Sequence, residues 1–143
     1  MNTHKQQGAM LLEALIAILI FSMGILALVG MQAAAITNVS EAKYRTDAAF
    51  LANQITGEMW VGDRADLATK FVYNSATKGT SPALIPWASS VSTAMPGVTE
   101  NPPTIAVAGD AANGFVATIT VRWKGPQAVN ASRYVETVRI RNP

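Results

Sequence analysis

The sequence contains no cysteine and only one histidine, His4, among its 143 residues. Without cysteine, a disulfide framework, a thiol nucleophile and a thiolate zinc site are all excluded. No glycine-rich phosphate-binding loop is present either. The formal net charge of +2 is too small to argue for a nucleic-acid partner by itself. Since nearly every usual catalytic constellation is missing, we predict that the protein is not an enzyme and holds no metal or cofactor.

Formally charged side chains are also missing from Ala14 to Ser40. The most apolar part ends at Met31, and extension to Ala35 gives the ~20 residues that a helix needs to cross ~30 Å of hydrocarbon. Lys5 precedes this run, so the positive-inside tendency places residues 1–8 in the cytoplasm. We therefore predict a single membrane-spanning helix followed by an extracytoplasmic domain.

Glu13 stands near the start of this apolar run. A carboxylate costs roughly 2.5–3.5 kcal/mol at the centre of a membrane helix on insertion scales, and less near an end. Two interpretations make Glu13 incidental. In the first, the run is a secretory signal peptide cut after the small residues 33–35. In the second, it is a plain signal anchor with Glu13 at the level of the lipid headgroups.

A third interpretation explains both Glu13 and the glycine five residues before it. The stretch "QQG" followed by "AMLLEALIAILIF" resembles the leader of type IV prepilins. The resemblance implies that prepilin peptidase cuts between Gly8 and Ala9, that the new amino group of Ala9 is methylated, and that Glu13 acts in assembly. Ala9 departs from the family, in which phenylalanine or methionine is commoner. His4 would be lost with this leader, which leaves no histidine for a triad or a metal site in the mature chain.

The helical pattern continues beyond the apolar run without proline, and we predict one helix from Ala9 to Trp60 with Gly62 as its stop. Glu41 and Arg45 are spaced to form an ion pair on its wetter side. "GILALVGMQ" and "AKYRTDAAFLANQITGEMW" (residues 24–32 and 42–60) resemble minor pilins of the PilV type. Apolar residues at helical spacing predict a buried face: Ala48, Leu51, Ala52, Ile55 and Met59.

The remainder of the head divides into a loop-rich region and a sheet. Residues 61–103 carry five prolines with many serines and threonines, and we predict long loops there with one short helical turn at Ala65–Phe71. Residues 104–141 contain three β-branched, alternating runs, which predict an antiparallel meander with one apolar face. The predicted fold class is α+β, a long amino-terminal helix packed against a carboxy-terminal sheet, which is also the pilin layout that the resemblance implies.

Two features of the sheet region invite a functional interpretation. "GDAANG" offers Asp110 and Asn113 as oxygen ligands, but calcium takes about six to eight, so we predict a turn. The last two strands carry five basic residues against one acid, Glu136; we expect a solvated sheet face there, and a DNA or subunit contact is the alternative. These basic residues are Arg122, Lys124, Arg133, Arg139 and Arg141.

The resemblance implies a minor pilin that helps to initiate or promote assembly of a type IV pilus. Its regions would be a leader at 1–8, a transmembrane and assembly helix at 9–35, and a periplasmic head at 36–143. The expected partners are prepilin peptidase, other minor and major pilins, the inner-membrane assembly machinery and the lipid bilayer. Two alternatives remain open, namely a minor pseudopilin of type II secretion and a membrane-anchored extracytoplasmic binding module.

Overall fold

The computed structural model describes residues 4–63 and 66–141, with side chains from Gly8 onward. The chain separates into two compact units, residues 1–39 and 40–143. The predicted α+β class is confirmed, because a long amino-terminal helix precedes a three-stranded antiparallel sheet. The helices and strands are α1 (His4–Val61), α2 (Leu67–Lys70), α3 (Leu84–Ala94), β1 (Thr104–Asp110), β2 (Gly114–Trp123) and β3 (Ser132–Ile140).

The sheet is a meander in the order β1-β2-β3, as predicted. The turn between β1 and β2 needs positive φ at Gly109 (109°) and Gly114 (86°), which glycine adopts at little steric cost. We call the side of the sheet that meets α1 the inner face and the opposite side the outer face. Period-two alternation places five β2 residues on the inner face, and all are buried: Phe115, Ala117, Ile119, Val121 and Trp123.

The part of α1 within the head, residues 40–61, packs on the inner face. The helical face predicted for this role is confirmed, since its five members are at most 4% exposed. The helix begins at His4 rather than Ala9 and ends one residue beyond Trp60. The Gly62 amide donates to the Glu58 carbonyl at 2.9 Å, which satisfies one of the last helical carbonyls.

The prediction of loops across residues 61–103 is wrong over α3. This eleven-residue helix buries Leu84, Trp87 and Val91, which lie on one face at helical spacing. Pro86 falls in its first turn, where no intrahelical N–H bond is required, so the proline does not break the helix. Within the short turn predicted at Ala65–Phe71, α2 spans Leu67–Lys70, and Ala65 lies outside the described residues.

The expected ion pair between Glu41 and Arg45 does not form. Instead, Oε2 of Glu41 accepts hydrogen bonds from Trp123 Nε1 at 2.9 Å and Ser132 Oγ at 3.1 Å. Glu41 is half-buried and Trp123 is fully buried, whereas Arg45 is exposed. The carboxylate therefore ties the first turn of α1 in the head to the hairpin that joins β2 and β3.

We expect Glu41→Ala to lower the free energy of unfolding of the head by about 1–3 kcal/mol, because the buried Trp123 indole loses its acceptor. Arg45→Ala is the matched control on the same helix and should stay within about 0.5 kcal/mol of wild type. Denaturant unfolding of the full chain in detergent micelles, followed by tryptophan fluorescence, measures both. Equal effects of the two substitutions would contradict this role for Glu41.

Candidate assembly segment

The assembly segment, residues 9–35, lies entirely within α1. Alanine, leucine, isoleucine and methionine dominate it, and these residues favour the helix. Its large apolar side chains point in all directions and are between 46% and 72% exposed. A helix that is apolar on every side is suited to a bilayer or to a bundle of similar helices rather than to water. In length and composition, α1 is the one helix among the described residues that could cross a membrane.

Glu13 is the one charged side chain of the assembly segment. It lies one helical turn beyond Ala9, so the two residues share a face of α1. It forms no hydrogen bond or ion pair with another described residue of the chain. Among the described residues, this carboxylate therefore has no compensating partner.

The Gly8–Ala9 peptide bond is also helical, because α1 begins at His4. Proteases bind their substrates as extended chains, so these residues have to leave the helix before they can be cut. Glycine lowers the cost of this unwinding, since it is about 1 kcal/mol less favourable than alanine in a helix interior. A Cβ at Gly8 would meet no atom within 4 Å, so packing within the chain does not require a glycine here.

Two further glycines punctuate the segment. A Cβ at Gly24 or Gly30 would likewise meet nothing within 4 Å inside this chain. Near Gly24, the Ser22 hydroxyl donates back to the Ile18 carbonyl at 2.7 Å, a bond that slightly destabilises and often bends helices. Close approach to a neighbouring helix and local weakening of α1 therefore both remain open as reasons for these glycines.

Comparison of the chain with protein-family models, with curated proteins and with solved structures gives no significant match. An interpretation of the assembly segment therefore depends on its own residues: the glycine, the apolar helix and a carboxylate that pairs with no described residue. The predicted cut after Gly8, the methylation of Ala9 and the assembly role of Glu13 stay predictions.

The basic cluster predicted on the sheet is less uniform than its sequence indicates. Arg133 and Arg139 are exposed on the outer face, but Arg122 is half-buried. Its Nη1 donates to the Pro102 carbonyl at 3.1 Å and to Thr104 Oγ1 at 3.4 Å. Glu136 does not lie among the arginines, because it belongs to the inner face. The sequence alternation of β3 could have predicted this position, since Glu136 is two residues from the half-buried Tyr134 and therefore lies on the same face of the strand.

The "GDAANG" stretch forms a turn, as predicted. Oδ1 of Asp110 accepts hydrogen bonds from the backbone N–H groups of Asn113 at 2.7 Å and Ala112 at 2.9 Å. The Asn113 side chain also donates to Asp110, so its amide nitrogen faces the carboxylate. The hydrogen bond from the Asn113 backbone is the main cause of a lowered pKa at Asp110. The described residues contain no cluster of three metal-binding side chains.

The processing prediction concerns the amino terminus of the mature chain. We expect the intact mass of chain extracted from membranes to show loss of residues 1–8 and the addition of one methyl group. Gly8→Leu should block the cut, because a bulky side chain keeps the backbone from lying close to the protease. Gly30→Leu is a matched control, since both glycines have open space around them in the chain. A mature chain that starts near Ile36 would instead identify a secretory signal peptide.

Proposed function

We propose that this protein is a minor pilin of a type IV pilus that helps to initiate or promote pilus assembly. It is made as a prepilin and cut by prepilin peptidase between Gly8 and Ala9, and its new amino terminus is methylated. Before assembly, the segment 9–35 holds it in the inner membrane with the head in the periplasm. It then enters the filament at the cell surface through this helix, beside other minor and major pilins.

One observation carries the proposal: a carboxylate that pairs with no described residue lies one turn beyond the predicted cut, at the start of a stretch of helix that is uncharged from Ala14 to Ser40. The cut would give Ala9 a cationic amine on the same helical face as Glu13. In a lone subunit both charges lie near the cytoplasmic interface, where water and headgroups screen them. In a bundle of apolar helices, the carboxylate of one subunit and the amine of the next compensate each other only in one stagger. Glu13 then selects the register in which subunits add.

The layout of the head is consistent with this role. Residues 40–61 continue the same helix and bury an apolar face against the antiparallel sheet. A folded head fused directly to an assembly helix lets the helix leave the bilayer without unfolding the domain. The chain needs no cofactor for such a structural function.

Gene deletion separates a pilus subunit from the pseudopilin alternative. We expect loss of the gene to reduce pilus number and twitching motility while secretion of folded exoproteins continues. Complementation with the wild-type gene should restore both pilus number and motility. If pili and twitching survive while secretion fails, the protein is a type II secretion pseudopilin and the proposal is wrong.

A further inference from the structure

Strand β3 leaves one backbone edge unpaired. It pairs with β2 over nine consecutive residues without a bulge, and no described residue pairs with its other edge. The opposite edge of the sheet is partly covered, because Tyr73 and Ile105 of β1 exchange backbone hydrogen bonds at 3.0 and 2.7 Å. Free edges are usually blunted by proline, bulges, short strands or charged side chains. Strand β3 is nine residues long and has no proline and no bulge, so its charges are what limit which strand can pair with its edge.

The charges along β3 form a palindrome. Arg133 and Arg139 extend from the outer face and are exposed, while Glu136 lies midway between them on the inner face. The pattern Arg-x-x-Glu-x-x-Arg therefore reads the same in both chain directions.

This palindrome opposes pairing with a second copy of the chain. If two β3 strands pair about Glu136, antiparallel or parallel, arginine lies opposite arginine and glutamate opposite glutamate. Like charges directly opposite each other destabilise a sheet. A slip of one residue would exchange the two faces and expose the apolar side. Such a pair of β3 strands would place two arginine pairs and one glutamate pair opposite each other, which disfavours a second copy as the partner of this edge.

One of the two carboxylate oxygens of Glu136 accepts no hydrogen bond from a described residue. Its Oε1 accepts from Thr56 Oγ1 of α1 at 3.2 Å. Its Oε2 has less than 1 Å² of accessible surface and accepts no hydrogen bond from a described residue. A neutral or acidic neighbour on an added strand would increase the desolvation of this carboxylate, whereas a lysine or arginine would compensate it.

We propose that the edge of β3 binds an extended strand of a different protein with the charge pattern acid-x-x-base-x-x-acid. The base lies beside Glu136 on the inner face, and the two acids lie beside Arg133 and Arg139 on the outer face. Backbone hydrogen bonds supply affinity, and the three charge pairs set register and exclude other strands. The binding mode does not depend on the proposed pilus function.

Synthetic nine-residue peptides test this proposal on the full chain in detergent micelles. The probe TEVTKVVET carries the complementary pattern, TEVTLVVET replaces its lysine by leucine, and TRVTEVVRT carries the pattern of β3 itself. Titration of fluorescein-labelled peptide, read as anisotropy, should give a dissociation constant about tenfold lower for the lysine probe than for the leucine probe. The peptide with the β3 pattern should not saturate.

Substitutions in β3 locate the binding. Glu136→Gln should remove the preference for lysine over leucine. If this variant does not fold by circular dichroism, the double variant Arg133→Glu, Arg139→Glu alters only exposed side chains and takes its place. The double variant should no longer bind TEVTKVVET. It should instead bind TKVTKVVKT, in which lysines replace the two outer glutamates. Hydrogen exchange should show that the peptide slows exchange in β3 and not in β1.

Several results would overturn the proposal. One is failure of TEVTKVVET to bind at about 1 mM peptide, a concentration that detects even weak complexes. Another is equal affinity for the lysine and leucine probes, or binding of TEVTKVVET that persists after charge reversal at both arginines. A third is sedimentation of the chain as a homodimer that Glu136→Lys disrupts, which would make a second copy the occupant of the edge.

Discussion

Glu13→Leu is expected to leave membrane insertion and cleavage largely intact but to reduce incorporation of the subunit into pili by a factor of several hundred. On the proposed function, the carboxylate of a lone subunit would lie near the cytoplasmic interface, and leucine inserts into a bilayer more easily than glutamate. In the proposed filament, the substitution would leave the amine of a neighbouring subunit without its partner. A buried charge left unpaired costs roughly 3–5 kcal/mol, which exceeds what a surface ion pair contributes.

The measurement is the amount of variant in sheared pili, together with pilus number, in cells that lack the native copy. Glu13→Asp is the matched control because it keeps the charge, and it should retain more incorporation than Glu13→Gln or Glu13→Leu. Pilus number matters because a subunit at the tip meets fewer neighbours than one in the shaft. Wild-type values of both quantities for Glu13→Leu would show that Glu13 is only an interfacial carboxylate.

Trp87→Ala is expected to lower the free energy of unfolding of the head by about 3–5 kcal/mol, the usual cost of truncating a buried aromatic side chain. Trp87 is 2% exposed, and its Nε1 donates to the Leu51 carbonyl of α1 at 2.9 Å. Its ring also meets Tyr73 edge to face, with centroids 5.7 Å apart. The substitution removes packing, a hydrogen bond and an aromatic contact together.

Small domains have total stabilities of about 5–15 kcal/mol, so this loss should leave a large fraction of molecules partly unfolded on warming. Ile85→Ala is the matched control, because Ile85 lies on the same helix and is 78% exposed. Thermal unfolding of the full chain in micelles, followed by circular dichroism, compares the two variants. A melting temperature for Trp87→Ala equal to that of Ile85→Ala would refute the assignment of α3 as a core element.

The regular part of the fold was predictable because its signals are local. In α1, apolar residues from Ala48 to Met59 recur at helical spacing and are buried against the sheet. In β2, alternation from Phe115 to Trp123 identifies the buried face correctly. The missed helix α3 shows the limit of such signals. Prolines at 82 and 96 flank α3 and Pro86 lies in its first turn, and such closely spaced prolines are typical of loops.

Sequence by itself determined the features that depend on neighbouring residues: an uncharged helix of membrane length with one carboxylate at its start, and a three-stranded meander. Only the tertiary structure decided where Glu41 and Glu136 go. The partners of these two carboxylates, Trp123 for Glu41 and Thr56 for Glu136, lie 82 and 80 residues away in the chain. A local pattern reports which face of an element a side chain occupies, but not which group lies opposite it. That group is set by how α1 packs on the sheet, and this packing makes Glu41 an anchor and leaves Glu136 half-satisfied beside an open edge.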